Sequence, residues 1–142
     1  MRFMPPDGAA LTFAGAAQAE CLDAIHDLVD QLWRAEPDVT DTDRMMFTTA
    51  VLEVANNIVT HNRSRSGVSI SLALTADPSA LRAEFSDDGS PAVVDLESAA
   101  LPEDLAESGR GLALARMALN ELGYERTKEM NRWRLARHRS AS

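Results

Sequence analysis

The apolar residues of this chain switch from a helical to a strand period partway along, and that switch limits the folds it can form. From Ala16 to Ala35 the positions Ala17, Cys21, Ala24, Ile25, Leu28, Val29, Leu32 and Trp33 recur at three and four residues, one face of an amphipathic helix. Pro37 closes that segment. Thr40 or Asp41 then reads as the N-cap of a second helix to about Asn62, with Asp43 in its first turn, where the helix dipole favours an acid. Beyond it the period becomes two. Val68, Ile70, Leu72 and Leu74 alternate with Ser69, Ser71, Ala73 and Thr75, and Leu81, Ala83 and Phe85 alternate with Arg82, Glu84 and Ser86. Asp77-Pro78-Ser79 between them is turn chemistry, so the stretch predicts a β-hairpin with one buried face.

The flanking segments read less sharply. Residues 1–9 form an irregular lead-in, and Ala10 to Ala14 predicts a short strand. Asp87 to Gly109, rich in Pro, Ser, Asp and Glu, predicts a loop or lid. Leu112 to Leu122 reads as a helix with Gly123 at its C′ position. Tyr124 to Arg137 follows as a last strand or hairpin with Trp133 and Leu135 inward, and 138–142 is a tail. The expected class is α+β: a two-layer α/β sandwich, with a mixed, mostly antiparallel sheet and helices on one face, in a single domain over 1–142.

Composition narrows the partners. The 142 residues are 45% hydrophobic, enough for an ordinary core. No apolar run approaches the roughly 20 residues of a membrane span, and Met1 to Gly15 lacks a signal-peptide pattern, so a soluble, cytoplasmic protein without membrane contact is expected. Cys21 is the only cysteine, which leaves no internal disulfide and no cysteine-based zinc cluster. A formal charge of −8 argues against direct nucleic-acid binding. Six of the 14 basic residues, Arg126, Lys128, Arg132, Arg134, Arg137 and Arg139, fall near the end, as a solvated strand face with a frayed tail or as a docking patch for an acidic partner.

Three places carry chemistry. Glu53, Asn57 and His61 stand at i, i+4 and i+8 of the second helix, so a carboxylate, a carboxamide and an imidazole share one stripe in an otherwise apolar segment. That stripe is either a ligand-facing row or the wet face of an amphipathic helix; Asn56 is near it, but only Asn57 keeps the spacing. Asp87-Asp88-Gly89 ends the second strand of the hairpin. An Asp there can accept from an exocyclic amine, and a glycine lets a flat ring approach, although the same triplet is also ordinary turn chemistry. Gly109-Arg110-Gly111-Leu112 runs into a helix whose unpaired N–H groups suit an anion, with Arg110 adding charge. No phosphate-binding loop of the GxxxxGK[ST] type occurs, and no strand leads into the glycines as a dinucleotide fingerprint would need.

Taken in order, these segments resemble the ATP-binding domain shared by gyrase, heat-shock chaperone and histidine-kinase proteins, the Bergerat fold. Glu53 to His61 looks like its N box, Asp87-Asp88-Gly89 like its first glycine box, and Gly109-Arg110-Gly111-Leu112 like its second. Within that group the chain is most similar to the anti-sigma factor serine kinases, through its small size, the lack of a phosphoacceptor helix and the Asn131 to Leu135 strand. The resemblance spans about Ala16 to Arg137. It implies ATP and Mg²⁺ as cofactors, with Asn57 holding the metal, Glu53 deprotonating an attacking serine, Asp87 reading adenine and Gly89 leaving space for the ring. Gly109, Arg110, Gly111 and Leu112 would form the phosphate cradle. It further implies a sigma factor and an anti-anti-sigma protein of the STAS type as partners, and a homodimer. The segment from Pro91 to Glu107 departs from the pattern in having no basic residue, and Pro91-Ala92-Val93-Val94 lacks a second glycine. The alternatives are an adaptor that regulates by binding alone, and the detached catalytic domain of a histidine kinase.

Overall fold

A computed structural model describes residues 10–62, 65–91 and 107–140, with the side chains of 107–110 excepted. The elements run β1 (Leu11–Ala16), α1 (Ala19–Ala35), α2 (Asp41–His61), β2 (Ser69–Ala76), β3 (Ala80–Asp87), α3 (Glu107–Ala118), β4 (Glu121–Thr127) and β5 (Met130–His138). The five strands form one sheet in the order β1-β2-β3-β5-β4, and every pairing is antiparallel rather than mixed. The α+β class expected from the periodicity is the one observed.

The pairing register explains the layers. Leu72 faces Phe85, Phe85 faces Trp133 and Trp133 faces Tyr124, so one apolar row crosses four strands. Side chains alternate across a sheet; Ser71, Glu84, Arg132 and Arg134 therefore lie on the opposite, wet face. The apolar face receives the helices. α1 buries Cys21, Ile25, Leu28, Val29 and Leu32, the three-and-four spacing of its sequence. α2 buries Phe47, Ala50, Val51, Val54, Ala55, Ile58 and Val59, too many for one stripe, because α1, α3 and the sheet all pack on it. No helix among the described residues is long and apolar enough to cross a membrane.

Local signals set most boundaries. Thr40 caps α2 through its hydroxyl, which accepts from the Asp43 N–H at 3.2 Å. Arg44 donates to the carbonyls of Val39 at 3.0 Å and Pro37 at 2.9 Å, closing the α1–α2 connection. In the β2–β3 turn, Asp77 Oδ1 accepts from the N–H groups of Ser79 and Ala80 at 2.7 and 2.9 Å. The last helix differs from expectation. α3 begins at Glu107 and ends at Ala118, whereas Leu122 pairs with Leu135 in β4 and Gly123 lies opposite Arg134 instead of capping a helix. The apolar run was too short to tell a helix end from a strand start, and cross-strand packing decided it. The lid expected between Asp87 and Gly109 and the lead-in 1–9 lie largely or wholly outside the described residues.

The stretch from Arg137 to Ser140 is anchored. Asp43 is fully buried, and its carboxylate accepts from Arg137 Nε at 2.9 Å, from the Ser140 N–H at 2.7 Å and from the Ser140 hydroxyl at 3.1 Å. Arg137 also donates to the Ala118 carbonyl at 2.8 Å, so one guanidinium joins β5 to both α2 and the end of α3. Arg139 donates to the Asp77 carbonyl at 2.8 Å and faces Glu36, and Arg134 pairs with Glu125. These residues of the basic run are spent on intramolecular partners.

Burial alone would raise the Asp43 carboxyl, but the hydrogen bonds from Ser140, Arg137 and Thr40 outweigh it and hold it below the usual carboxylate range. Asp77 is lowered as well, chiefly by the Ser79 hydroxyl and N–H and by Arg82. A depressed carboxyl stabilises the fold above its unfolded value of about 3.9 and loses that contribution as pH falls through its folded value. Asp43→Asn is accordingly expected to cost about 3 kcal/mol near pH 7 by leaving Arg137 without its counter-charge. Urea unfolding of both proteins from pH 7 down to pH 2 should show the gap narrowing only below about pH 4; a constant gap would remove the ionised carboxylate from this role.

Candidate functional site

The second half of α2 presents the polar stripe that its spacing predicts. Glu53 and Asn57 are half-buried and His61 is exposed, while Val51, Val54, Ala55, Ile58 and Val59 around them are buried. α3 packs along the same helix. A β-carbon built on Gly111 would lie 2.2 Å from Glu53 Oε2, so the glutamate carboxylate rests directly against glycine backbone. Any side chain at 111 would occupy the space the carboxylate now holds.

The glycine pair itself is placed differently from the expected loop. α3 starts at Glu107, so Gly109 and Gly111 are helical residues, and the unpaired N–H groups of the helix belong to its first turn, 107–110. Gly111 lies just beyond that turn. The Arg110 side chain is outside the described residues, and Leu112 is 7% exposed within the hydrophobic core, where its side chain packs rather than faces a ligand.

The Asp-Asp-Gly turn is held from several sides. Asp87, 2% exposed, accepts at Oδ1 from the Gly89 N–H and from Asn131 Nδ2, both at 2.9 Å. Asn131 Nδ2 also donates to the Ser90 carbonyl at 2.8 Å, and its Oδ1 accepts from the Tyr124 hydroxyl at 2.5 Å and Arg126 Nη1 at 3.2 Å. Arg126 Nη1 donates to the Gly89 carbonyl at 2.7 Å. From the helix side, Asn62 Oδ1 accepts from the Ser90 N–H at 3.3 Å while its Nδ2 donates to the Ile58 carbonyl at 2.9 Å. His61 Nε2 lies 3.1 Å from the Pro91 carbonyl, to which it donates when it carries the proton, and Arg65 reaches the Ser90 hydroxyl. Asp88 turns away and accepts from the Ser69 N–H at 2.8 Å.

Two groupings result: Glu53 with Gly111, and Asp87 with Gly89, joined where His61 and Asn62 at the end of α2 meet the turn. Asn57 stands between them on the α2 stripe. The space over Gly89 is filled by the Asn62 carboxamide, whose oxygen would be 2.2 Å from a β-carbon there. Asn62, Tyr124, Arg126 and Asn131 were not singled out as site residues from sequence. Asn131 carried a usable signal, because the alternation that turns Trp133 and Leu135 inward turns it inward too, and a buried amide needs partners. Asn62 carried none beyond its place at a helix end.

The two glycines make different demands. A methyl at Gly111 would meet only the tip of Glu53, with Cδ at 3.4 Å, whereas one at Gly89 would strike the whole bonded Asn62 amide. Gly111→Ala should therefore change stability by less than about 1 kcal/mol, since the helix gains from alanine while the carboxylate swings aside. Gly89→Ala should cost about 1–3 kcal/mol, the usual range for overpacking. Denaturation midpoints of both variants test this contrast, and equal losses would contradict it.

No curated protein matches the chain. Among solved structures it is similar to that of the RsbU and RsbW domains of Rv1364c from Mycobacterium tuberculosis, at TM-score 0.63 and 19% identity, covering 94% of this chain and 33% of that one. It is also similar to the histidine kinase domain from the Erythrobacter litoralis EL346 blue-light activated histidine kinase, at TM-score 0.54 and 18% identity, covering 81% and 58%. The chain thus spans a third of the first and somewhat over half of the second, and at these identities the likeness is one of fold. The sequence pattern of the histidine kinase-like ATPase domain matches residues 16–137, which hold all three helices and four of the five described strands, and the chain belongs to that family.

Proposed function

We propose that this chain is an ATP-dependent serine-protein kinase of the anti-sigma type, acting on an anti-anti-sigma partner of the STAS class and binding a sigma factor. The observation that carries the reading is the Glu53 carboxylate seated on the Gly111 backbone, one helical turn from Asn57, in a chain of the histidine kinase-like ATPase family. The RsbW domain named in the similar mycobacterial structure supports the choice of subclass, as does the Asn131 to Leu135 strand.

The residues present suit a magnesium nucleotide. The start of α3 has unpaired N–H groups that suit phosphate, and a single carboxamide oxygen is a sufficient protein ligand for Mg²⁺. Asn57 would hold the metal, the helix start at Gly109 and Arg110 the phosphates, with Gly111 and Leu112 just behind it and Arg110 adding positive charge, and Asp87 the base. The bound magnesium nucleotide supplies the phosphoryl group and neutralises its charge. Glu53 would accept the proton of the attacking serine hydroxyl and orient its oxygen. Phosphoryl transfer demands little else of the protein beyond positioning.

Glu53→Ala is expected to lower phosphate transfer to a co-purified STAS partner by at least about 100-fold, the scale of one general base. Binding of Mg·ATP, followed by calorimetry, should stay within a few-fold of wild type. Undiminished transfer would take Glu53 out of this role.

A second reading, an adaptor that regulates by binding alone, is favoured by two features: Asn62 covers Gly89, and both glycines of the second box are wound into α3. The same calorimetry separates the two, because an adaptor would show no heat at millimolar Mg·ATP while retaining its protein partner.

A further inference from the structure

The inward row at the end of the sheet, Asp87 on β3, Asn131 on β5 and Arg126 on β4, places one amide between a carboxylate and a guanidinium. The orientation of that amide is decided by chemistry. Arg126 has only donors, so the atom of Asn131 facing it must be the oxygen, and the Tyr124 hydroxyl donates to the same oxygen. Nδ2 is thereby turned the other way, toward Asp87 Oδ1 at 2.9 Å and the Ser90 carbonyl at 2.8 Å. Asn131 is 2% exposed, so water does not compete for these positions. Asp87 in turn receives the Gly89 N–H on the same oxygen, so Oδ1 is pinned between two donors and the rotation of the carboxylate is restrained.

We propose that Asn131 is a positioning residue that acts through Asp87, held in turn by Tyr124 and Arg126, and makes the site select a nucleobase with an exocyclic amine over one with a keto oxygen at the same place. The inference rests on the nucleotide reading of the site given above. An ionised carboxylate held at Oδ1 presents only acceptor capacity in a fixed direction, so an amine can pair with it and a keto oxygen is repelled. Without Asn131 the carboxylate is free to turn, and discrimination falls even where the nucleotide still binds.

The test is calorimetric titration of the full chain with Mg·ATP and, separately, Mg·ITP, which replaces the adenine amine by a keto oxygen. Wild type should favour ATP by about 10–100-fold, the worth of one hydrogen bond to a charged group. Asn131→Ala should lower that ratio by about tenfold or more, and Tyr124→Phe, which removes one donor to the amide oxygen, by about two- to fivefold. Asn131→Asp sets two carboxylates side by side, which favours one shared proton and hence a donor for the keto oxygen; its ratio should move furthest toward ITP. Circular dichroism establishes which variants are folded, and Tyr124→Phe reads the same ratio if an Asn131 variant is not. A purely structural role would weaken both nucleotides alike, and an unchanged ratio in the folded variants overturns the inference while the nucleotide site stands. Binding of neither nucleotide to wild type would instead overturn the nucleotide reading and this inference with it.

Discussion

The strand β5 meets a buried carboxylate at each end, and much of the architecture follows from that. Its inward side chains are Asn131, Trp133, Leu135 and Arg137, polar at the ends and apolar between. Trp133 and Leu135 fill the core against the helices, while Asn131 donates to Asp87 and Arg137 to Asp43. A carboxylate taken out of water is costly unless donors replace its hydration. A slip of one residue in β5 would turn all four side chains to the wrong face and strip both acids of their partners together. The register is thus determined by charge as much as by apolar packing.

The two ends have opposite characters. Around Asp43 the donors come from α2's own cap region, from β5 and from Ser140, and Arg137 continues to the end of α3, so the cluster closes the molecule. Around Asp87 the bonds run through the backbone of a turn, residues 89 to 91, whose other contacts come from His61 and Asn62 at the end of α2, from Arg65 and from Arg126. The first arrangement fastens elements. The second holds a turn in place at one end of the sheet.

Periodicity made α1, α2 and the β2–β3 hairpin legible, because each buries a face through spacing that is local in sequence. The stripe Glu53, Asn57, His61 was legible for the same reason. The start of α3 was not: Gly109 and Gly111 read as a segment leading into the helix, yet they lie within it, and at Gly111 the missing side chain makes room for Glu53, which is 58 positions earlier in the sequence. The same limit applied to the basic run near the end. Arg137 looked like one charge among several; alternation with Trp133 and Leu135 turns it inward, but only the tertiary structure brings Asp43 to it.

What the sequence determined by itself is the element types, the α+β class and the order of three polar segments that matches an ATP-binding family, since helical and strand periods and cap residues act over a few positions. Which acids are buried, which amides hold them and which glycine touches Glu53 were decided only by tertiary structure. The reason is physical: desolvation and close approach depend on what arrives from distant parts of the chain. An Asp at a helix start and an Arg near the chain's end have no evident relation until a sheet register brings them within 2.9 Å.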